Sequence, residues 1–344
     1  MNIELKPLEG SGFSKEEYLE FLNKCYGKSA KHKLDERLPW LSKASNYTIL
    51  LAIMDNKIVG QACSYETTAS AQGKEIQVTW GVDNFVLPET RGKGVGKMLQ
   101  KHMHDNKVNF SSAWYSPTNG YIKRKCGSRA FTNYYFPYYA ISKFFGIYLE
   151  LAIFKIFKKK IRIPSRIPNL YCKIFNRRKS RNYEYKEISY FSPEHIAYIQ
   201  DVLDNNYDFY VKRSSDYLNW KYFENPSIKD FHIMEIRKES KIVAIISFSA
   251  AQSKKYICTE YFGATILDAF IGNKELFSER DIIPTVVNYY KEKNISLDGI
   301  CTIFDFPYFP KIKYPKQGSP FLSTYNGEIK KPYISLMDQD MERI

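Results

Sequence analysis

The stretch over residues 82–99, VDNFVLPETRGKGVGKML, contains the residues of this sequence that are best suited to bind a phosphate. Gly92, Gly94 and Gly96 alternate with other residues, so the backbone there can approach a ligand closely. Apolar residues at helical spacing begin at Val95 and predict an amphipathic helix. The first amides of a helix lack internal partners and the helix dipole makes that end positive. The stretch therefore predicts an anion site.

Two familiar nucleotide-binding motifs do not fit this loop. A P-loop needs four residues between its glycines, whereas three separate Gly92 from Gly96, and Met98 follows Lys97. The dinucleotide fingerprint also fails, because Lys97 stands where its third glycine belongs. We therefore expect the loop to bind the diphosphate of a ligand that neither of these two motifs binds.

The residues RGKGVG, 91–96, resemble the acyl-CoA signature of the GNAT superfamily of N-acetyltransferases. The preceding Val86–Pro88 resembles the strand on which that family holds the thioester. The sequence PTNGYIKRKCG is similar to the family's next helix, although three residues, 128–130, intervene before the expected Phe131. The resemblance covers roughly residues 1–142. It implies transfer of an acetyl or other acyl group from acyl-CoA, the co-substrate, to a primary amine.

The resemblance also implies which residues hold acyl-CoA. The backbone amides of the loop bind the pyrophosphate, three side-chain cations add countercharge, and the preceding strand pairs with the pantetheine arm and polarises the thioester carbonyl. These residues are Phe85, Val86, Leu87, Arg91, Gly92, Lys93, Gly94, Val95, Gly96, Lys97 and Asn119. For Asn119, capping of the next helix is an alternative role.

Two residues are candidates for proton transfer. The family commonly has a tyrosine that acts as general acid four residues before the closing glycine. In this sequence Lys123 has that spacing from Gly127, and Tyr121 lies six residues before it. Tyr121 is the expected general acid, with ordinary packing as the alternative. Asp83, on the strand before the loop, is the expected general base, with a structural carboxylate as the alternative.

The order of elements predicts an α/β protein with two GNAT-like domains, each a mixed, mostly antiparallel sheet flanked by helices. We divide the sequence into a catalytic domain at 1–142, a basic, aromatic-rich helical linker at 143–182 and a degenerate GNAT-like domain at 183–344. The second half repeats the order of strands and helices, but it has no glycine-rich phosphate loop at the corresponding place.

Several local patterns define the expected elements of the first half. Ser14 and Glu17 form a capping-box pattern before a helix, and a second helix is expected over 32–44. Two strands are predicted around the turn at 55–57 and two more within EIQVTWGVDNFVL. A basic helix near 119–126 and a closing strand pair near 129–142 complete this half.

The net charge of +14 is concentrated in one segment, because residues 155–186 contain twelve Lys or Arg and one Glu. This distribution argues against a nucleic-acid-binding face that spans the fold, and a nucleic-acid partner is not expected. Lys143, Glu150 and Lys155 interrupt the apolar run before it, so a bilayer span is not expected. A linker helix packed between domains is favoured over peripheral contact with an anionic membrane.

Six cysteines lie far apart without a CxxC pair, and no histidine stands at ligand spacing, so neither a disulfide framework nor a metal site is predicted. The first residues contain early acids and no apolar run typical of a signal peptide. We therefore expect a cytoplasmic protein.

Three functions remain in competition. The first is an N-acetyltransferase acting on a small amine, such as an amino sugar or a nucleotide-linked amino sugar of surface polysaccharide. The second is a Fem-type aminoacyl-tRNA-dependent transferase, which the intact glycine loop disfavours. The third is a non-catalytic module that binds anionic lipid or RNA through residues 155–186.

Overall fold

The structure is a computed structural model that describes residues 2–112, 117–134, 137–140, 183–226, 231–256, 259–302, 311–313 and 319–335, and residues 153, 156, 157, 304 and 338. Contacts divide the chain into unit 1, formed by residues 1–134, 203–229 and 319–343, and unit 2, formed by 135–202, 230–318 and 344. Residues 203–229 and 319–343, which belong to the predicted second domain, thus pack in unit 1. The domain boundaries at residues 142 and 182, and the relation between the two halves, stay predictions from the sequence. Most of the predicted linker lies outside the described residues.

Unit 1 contains a mixed sheet and several helices, with labels that follow chain order through both units. The strands are β1 (Glu4–Pro7), β2 (Thr48–Met54), β3 (Lys57–Ala71), β4 (Lys74–Val86), β5 (Ser111–Ser112), β6 (Arg129–Tyr134), β9 (Phe209–Val211), β16 (Ser319–Ser323) and β17 (Pro332–Tyr333). The helices are α1 (Lys15–Tyr26), α2 (Ala30–His32), α3 (Leu38–Leu41), α4 (Val95–Asn106), α5 (Pro117–Lys125) and α7 (Ser215–Tyr222).

The helical region before β2 begins as the sequence predicts. Ser14 and Glu17 form a reciprocal capping box at the start of α1. The expected helix over 32–44 is present but not regular, because a π-helical segment, Lys33–Arg37, separates α2 from α3.

The sheet of unit 1 has the order β1-β2-β3-β4-β5-β16-β6, and β9 joins β3 and β17 at one side. Strands β1 to β4 are antiparallel. Their tight turns have positive φ at both central residues, 55–56 and 72–73, the geometry that matches the twist of a hairpin. Strand β16 comes from late in the chain and lies between β5 and β6.

Strand β4 corrects one expectation, because EIQVTWGVDNFVL forms one strand with a bulge and not two strands. The pairing with β3 shifts between Cys63, opposite Val82, and Gln61, opposite Phe85. Asp83 lies at this shift with φ of 47°. A bulge bends the strand and redirects its side chains, which sequence alternation alone does not reveal.

Strands β4 and β5 run parallel and meet at one residue pair, Trp80 opposite Ser111. We call the region where β4 continues beyond this pair, residues 81–86, the fork. Within the described residues, this part of β4 has a paired edge toward β3 and an edge that β5 does not follow.

Helix α4 packs on one face of this sheet, and α1 and α3 pack on the other. Val95, Leu99 and Met103 of α4 are buried against β2 and β3, as the predicted apolar stripe requires. Met98, which the same stripe includes, is 38% exposed. The opposite face buries Phe21 and Leu22 of α1.

Unit 2 contains a second mixed sheet of order β15-β7-β14-β13-β11-β10-β8, with β12 beside β13. Its strands are β7 (Pro137–Ala140), β8 (Glu184–Glu187), β10 (Phe231–Lys238), β11 (Lys241–Ser249), β12 (Gln252–Tyr256), β13 (Thr259–Ile271), β14 (Gly299–Cys301) and β15 (Lys311–Lys313). Helix α8 (Glu279–Glu292) buries Ile282, Ile283 and Val286 against it. Helix α6 (Pro193–Asn206) precedes β9.

The predicted closing strand pair near residues 129–142 is wrong. The structure forms both strands, but β6 pairs with β16 in the sheet of unit 1, and β7 pairs with β14 and β15 in the sheet of unit 2. Local sequence marks both segments as strands, but it does not identify partners that lie more than 150 residues away.

Candidate functional site

The glycine loop at residues 91–97 has the backbone geometry that an anion site needs. Gly92 and Gly94 have φ of +82° and +86°, a region that side chains rarely adopt. Gly94 is the N-cap of α4 and forms no side-chain cap. A hydroxyl or carboxylate cap would occupy the first-turn amides of the helix, so glycine leaves them available to an external anion.

Cations surround this helix start. Arg91, Lys93 and Lys97 are all exposed. The Arg91 side chain is held in place, because its Nε donates to the Val86 carbonyl oxygen at 3.3 Å and its guanidinium lies 5.8 Å from the centre of the Phe85 ring. The loop therefore combines helix amides with fixed positive charge beside the end of β4.

Gly60 of β3 allows α4 to approach the sheet. A Cβ atom built on Gly60 would lie 3.1 Å from both the Phe85 carbonyl oxygen and Val95 Cγ1. The first turn of α4 is thereby seated directly against the paired end of β4. Gly96 is less restricted, because a Cβ there would have ordinary contacts of 3.6 Å with Ile122 and Val86.

The edge of β4 that faces away from β3 is followed beyond Trp80 by no strand among the described residues, and its backbone groups are suited to an extended ligand. Leu87 donates its N–H to the Val59 carbonyl oxygen at 2.9 Å, toward β3. Because successive residues of a strand direct their backbone groups to opposite edges, Val86 directs its N–H toward the fork. A ligand arm with amide groups could pair there like an added strand.

One side-chain atom near the fork lacks a partner. Asn84 Oδ1 is shielded from solvent and accepts no hydrogen bond from any residue that the structure describes. A buried acceptor without a donor is costly, and an amide N–H from a bound ligand would satisfy it. The amide-containing arm and diphosphate of acyl-CoA thus match what the fork and the loop present.

Asp83 lies in a buried ion-pair cluster and not at an open surface. Its carboxylate accepts from Lys33 Nζ at 2.8 Å and from Arg37 Nε at 3.2 Å, and all three side chains are less than a tenth exposed. Burial alone would raise the pKa of Asp83, but Arg37 and Lys33 outweigh it and hold that pKa below its usual value. A carboxylate stabilised in this way is a weak base, so these contacts favour a structural role. The expected role as general base stays a prediction.

Tyr121 and Asn119 lie on α5. The Tyr121 side chain is 58% exposed, and the Lys125 ammonium lies 5.7 Å from the centre of its ring. Asn119 is half-buried within the first turn of the helix. The acid role of Tyr121 and the acyl-CoA contact of Asn119 stay predictions.

Lys123 is a buried lysine that the sequence did not single out for chemistry. Its side chain is 1% exposed, and its Nζ donates to Ser112 Oγ at 2.6 Å. Burial lowers the pKa of Lys123 to about 7. The signal available in the sequence was its spacing of four residues before Gly127.

His104 of α4 lies close enough to Lys123 to be affected by its charge. Its Nδ1 lies 2.6 Å from the Gln100 carbonyl oxygen and its Nε2 lies 2.6 Å from Ser128 Oγ. Because a carbonyl only accepts, Nδ1 carries the proton and Nε2 accepts from the serine hydroxyl. Burial lowers the pKa of His104, as expected for a neutral, structural imidazole.

A second buried lysine, Lys221 of α7, lies among aromatic rings of unit 1. Its Nζ donates to Tyr65 Oη at 3.0 Å and lies 4.7 Å from the centre of the Trp220 ring. Trp220 also stacks on Trp40 with the ring centres 4.8 Å apart, so the aromatic cluster around Trp220 is part of the core. Burial lowers the pKa of Lys221 to about 7.

Unit 2 has no matching anion site at the start of α8. Ser278 donates its N–H to Asp281 Oδ2 at 2.9 Å, and the first turn contains the acids Glu279 and Asp281. Carboxylates at the start of α8 occupy the place where a phosphate would bind, and their charge repels it. The starts of α4 and α8 thus differ in what occupies their first turn.

The described residues contain neither a metal cluster nor a membrane-spanning helix. Among them, no group of three or more His, Cys, Asp or Glu side chains is arranged to hold a metal ion. No helix within the same residues is both long and apolar enough to cross a membrane.

Comparison with known proteins relates one part of this chain to a family. A family model described as an acetyltransferase (GNAT) domain matches residues 11–127. A search of curated proteins found no match.

Solved structures of similar fold cover most of the chain. A GCN5-related N-acetyltransferase from Anabaena variabilis is 11% identical, with 93% of this chain and 72% of that chain covered and a TM-score of 0.58. One from Kribbella flavida is 10% identical, with 94% and 70% covered and a TM-score of 0.56. Saccharomyces cerevisiae N-myristoyltransferase with bound myristoyl-CoA is 10% identical, with 95% and 83% covered and a TM-score of 0.53.

The glycine loop, the fork and α4 all lie within the matched domain, and the mixed sheets agree with the fold of these structures. Residues 11–127 of this chain therefore match an acetyltransferase (GNAT) domain, and the chain shares its fold with N-acetyltransferases of known structure.

Proposed function

We propose that this protein transfers an acyl group, acetyl in the simplest case, from acyl-CoA to the primary amine of a small acceptor. The observation that carries the proposal is the uncapped start of α4 at Gly94, flanked by exposed cations and placed at the end of the fork. Helix amides and cations suit a diphosphate, and the open edge of β4 suits the amide-containing arm attached to it.

Different residues of unit 1 bind different parts of acyl-CoA. The amides of residues 95–97 and the side chains of Arg91, Lys93 and Lys97 hold the pyrophosphate. Val86 N–H pairs with the pantetheine arm, and Asn84 Oδ1 accepts from one of its amides. Phe85 and Leu87 anchor the strand by packing on the face that carries α1. These contacts fix the thioester along residues 82–86.

The bulge at Asp83 supports the chemical step. A bulge frees a backbone N–H from the ladder, and such an amide beside the thioester carbonyl stabilises the negative charge that develops on its oxygen. The acceptor amine attacks in its neutral form. The ion pairs of Asp83 with Lys33 and Arg37 keep this bulge in one conformation.

The acceptor class is a further part of the proposal. We favour a small amine such as an amino sugar or a nucleotide-linked amino sugar, by analogy with GNAT-like proteins of surface-polysaccharide synthesis. Unit 2 is proposed to be a degenerate GNAT-like half, because α8 is capped by its own acids. A cytoplasmic location, where acyl-CoA is formed, completes the proposal.

The Fem-type alternative uses aminoacyl-tRNA and has no need of a pyrophosphate site. A module that binds lipid or RNA through residues 155–186 has no need of one either. Both alternatives leave the glycine loop and its cations without a role. The acyl-CoA proposal accounts for them directly.

The test is release of free CoA thiol from acetyl-CoA in the presence of a panel of amines led by amino sugars. We expect release that depends on the amine, and we expect an Arg91→Glu, Gly94→Asp variant to lose it, because it places acids in the anion site. Failure of the folded wild-type protein to bind acetyl-CoA, longer acyl-CoA or CoA would refute the proposal.

A further inference from the structure

The Lys123 amine lies where β4 and β5 separate. Its Nζ is 2.6 Å from Oγ of Ser112, and Ser112 follows Ser111, the residue that faces Trp80 at the start of the fork. The amine also lies 5.0 Å from the centre of the Phe110 ring. Phe110 packs so closely on β4 that a Cβ at Gly81 would lie 2.6 Å from it. Lys123 is therefore on the α4 face of the sheet, beside the first residue of the fork.

The anion site and Lys123 lie at opposite ends of one path. A ligand whose diphosphate is held at residues 92–97 follows the open edge of β4 from Val86 toward Gly81. These residues span roughly 16 Å at about 3.3 Å per residue. An extended arm that follows this edge brings its far end toward Ser112 and Lys123.

The environment of Lys123 is suited to proton transfer. Lys123 and Ser112 are 1% and 2% exposed, so bulk water does not compete for the amine. Because burial lowers the pKa of Lys123 to about 7, the ammonium and the neutral amine are both populated near neutral pH.

The described elements around Lys123 differ in the titratable groups that they contribute. Neither β5 nor β16 contains a titratable side chain. Helix α4 contributes His104, whose own pKa is lowered by burial and by the charge of Lys123. The other charged groups of α4 near this end, such as Lys101, are exposed.

We propose that Lys123 and Ser112 together supply the proton taken up by the departing CoA sulfur, an inference that rests on the proposed function. As the bond between the acyl carbon and the sulfur breaks, its electron pair passes to the sulfur. Ser112 gives its hydroxyl proton to that sulfur and takes one from the Lys123 ammonium, which becomes a neutral amine. The proton lost by the attacking nitrogen passes to solvent, and Lys123 regains a proton from solvent after the products have left.

The direction of transfer agrees with ordinary acidities. A free thiol has a pKa of about 8.5, which lies above that of Lys123, so a thiolate takes a proton from this ammonium with a favourable free energy. Tyr121, by contrast, has a mostly exposed side chain on the same helix.

The test uses free CoA and needs no acceptor. The pKa of the bound CoA thiol is measured from thiolate absorbance in the ultraviolet, with desulfo-CoA as the blank and calorimetry to establish saturation. The bound thiol and the Lys123 ammonium titrate as a coupled pair, so we expect thiolate absorbance to begin at a lower pH than in free CoA. Lys123→Met should abolish this shift, and Lys125→Met, an exposed lysine of the same helix, should retain it.

Ser112→Ala provides a second variant, which keeps the ammonium and removes the hydroxyl. It should raise the thiol pKa above the wild-type value without loss of CoA binding. Equal thiol pKa values in the wild-type protein, Lys123→Met and Ser112→Ala would overturn the inference while the proposed function stands. A wild-type protein that does not bind CoA would overturn both.

Discussion

Trp80 of β4 lies opposite Ser111 of β5, and beyond this pair the two parallel strands no longer follow each other in the part of the chain that the structure describes. The separation leaves an edge of β4 between the uncapped start of α4 and the buried Lys123 amine. A sheet normally satisfies its backbone groups by pairing. An edge of β4 that no described strand follows, next to an anion site, is where an extended ligand can complete the sheet.

Substitution by alanine should change the free energy of unfolding differently at Gly60 and at Gly96, the two glycines where α4 meets the sheet. Gly60→Ala should lower the free energy of unfolding by about 1–3 kcal/mol, because its Cβ would lie 3.1 Å from backbone and side-chain atoms that cannot easily move. Gly96→Ala should be neutral or stabilising by up to about 1 kcal/mol, because its Cβ contacts are ordinary and alanine favours a helix. Urea denaturation of both variants measures this, and equal effects would contradict the packing described.

Asp83→Asn should cost about 3–5 kcal/mol of stability, because it leaves the buried Lys33 and Arg37 without their carboxylate. The pKa of Asp83 is lowered in the folded protein, so its stabilising effect is present above its ordinary pKa and is lost as the pH falls through the folded value.

Asp105→Asn is the matched control, because Asp105 forms an exposed pair with Lys101 and should cost less than about 1 kcal/mol. Thermal and urea denaturation give both values. An Asp83→Asn variant of unchanged stability that loses turnover would support the role of general base instead.

Stability should rise with pH between about 7 and 8.5, in part because of Lys123 and Lys221. The folded pKa of each is about 7, and unfolding restores an ordinary value near 10.4. In this interval the unfolded chain binds more protons than the folded one, so raising the pH favours folding by at most about 1.4 kcal/mol per pH unit for each lysine.

Lys123→Met and Lys221→Met should therefore each reduce the slope of unfolding free energy against pH, whereas Lys125→Met should not. The interval ends near 8.5 because burial raises the pKa of Cys63 above its usual value, and ionisation of that thiol after unfolding then opposes the trend. Identical slopes in all four proteins would show that neither lysine is deprotonated in the fold.

One acyl-CoA should bind per chain. The start of α4 is uncapped, whereas Ser278 and Asp281 form a capping box at the start of α8, with the Asp281 carboxylate accepting from the Ser278 N–H. The measurement is the stoichiometry from calorimetry with acetyl-CoA. Two equivalent sites would contradict the contrast between the two units.

The sequence predicted those parts of the fold that depend on local chemistry. The turn at 55–56, the capping box of Ser14 and the helix after the glycine loop are all present, because each depends on residues a few positions apart. The pairing of β16 between β5 and β6 depends on contacts about 190 to 210 residues apart, which local periodicity does not encode.

The same reasoning explains what was missed in the candidate site. The glycine loop was recognised because backbone conformation restricts its residue types. The ion pairs of Asp83 join residues about 50 positions apart, and Lys123 in sequence resembles any cation of a basic helix. The expectation of two strands within 75–87 failed because a bulge, with positive φ at Asp83, interrupts the alternation within one strand.

The most direct test of the central claim is calorimetric titration of acetyl-CoA into the wild-type protein, Gly94→Ala and Gly73→Ala. Both glycines have positive φ, of +86° and +73°, and open space where a Cβ would lie, so both substitutions carry a similar backbone cost. We expect micromolar binding by the wild-type protein and by Gly73→Ala, and at least tenfold weaker binding by Gly94→Ala. Equal affinities of the two variants would contradict an anion site at the start of α4.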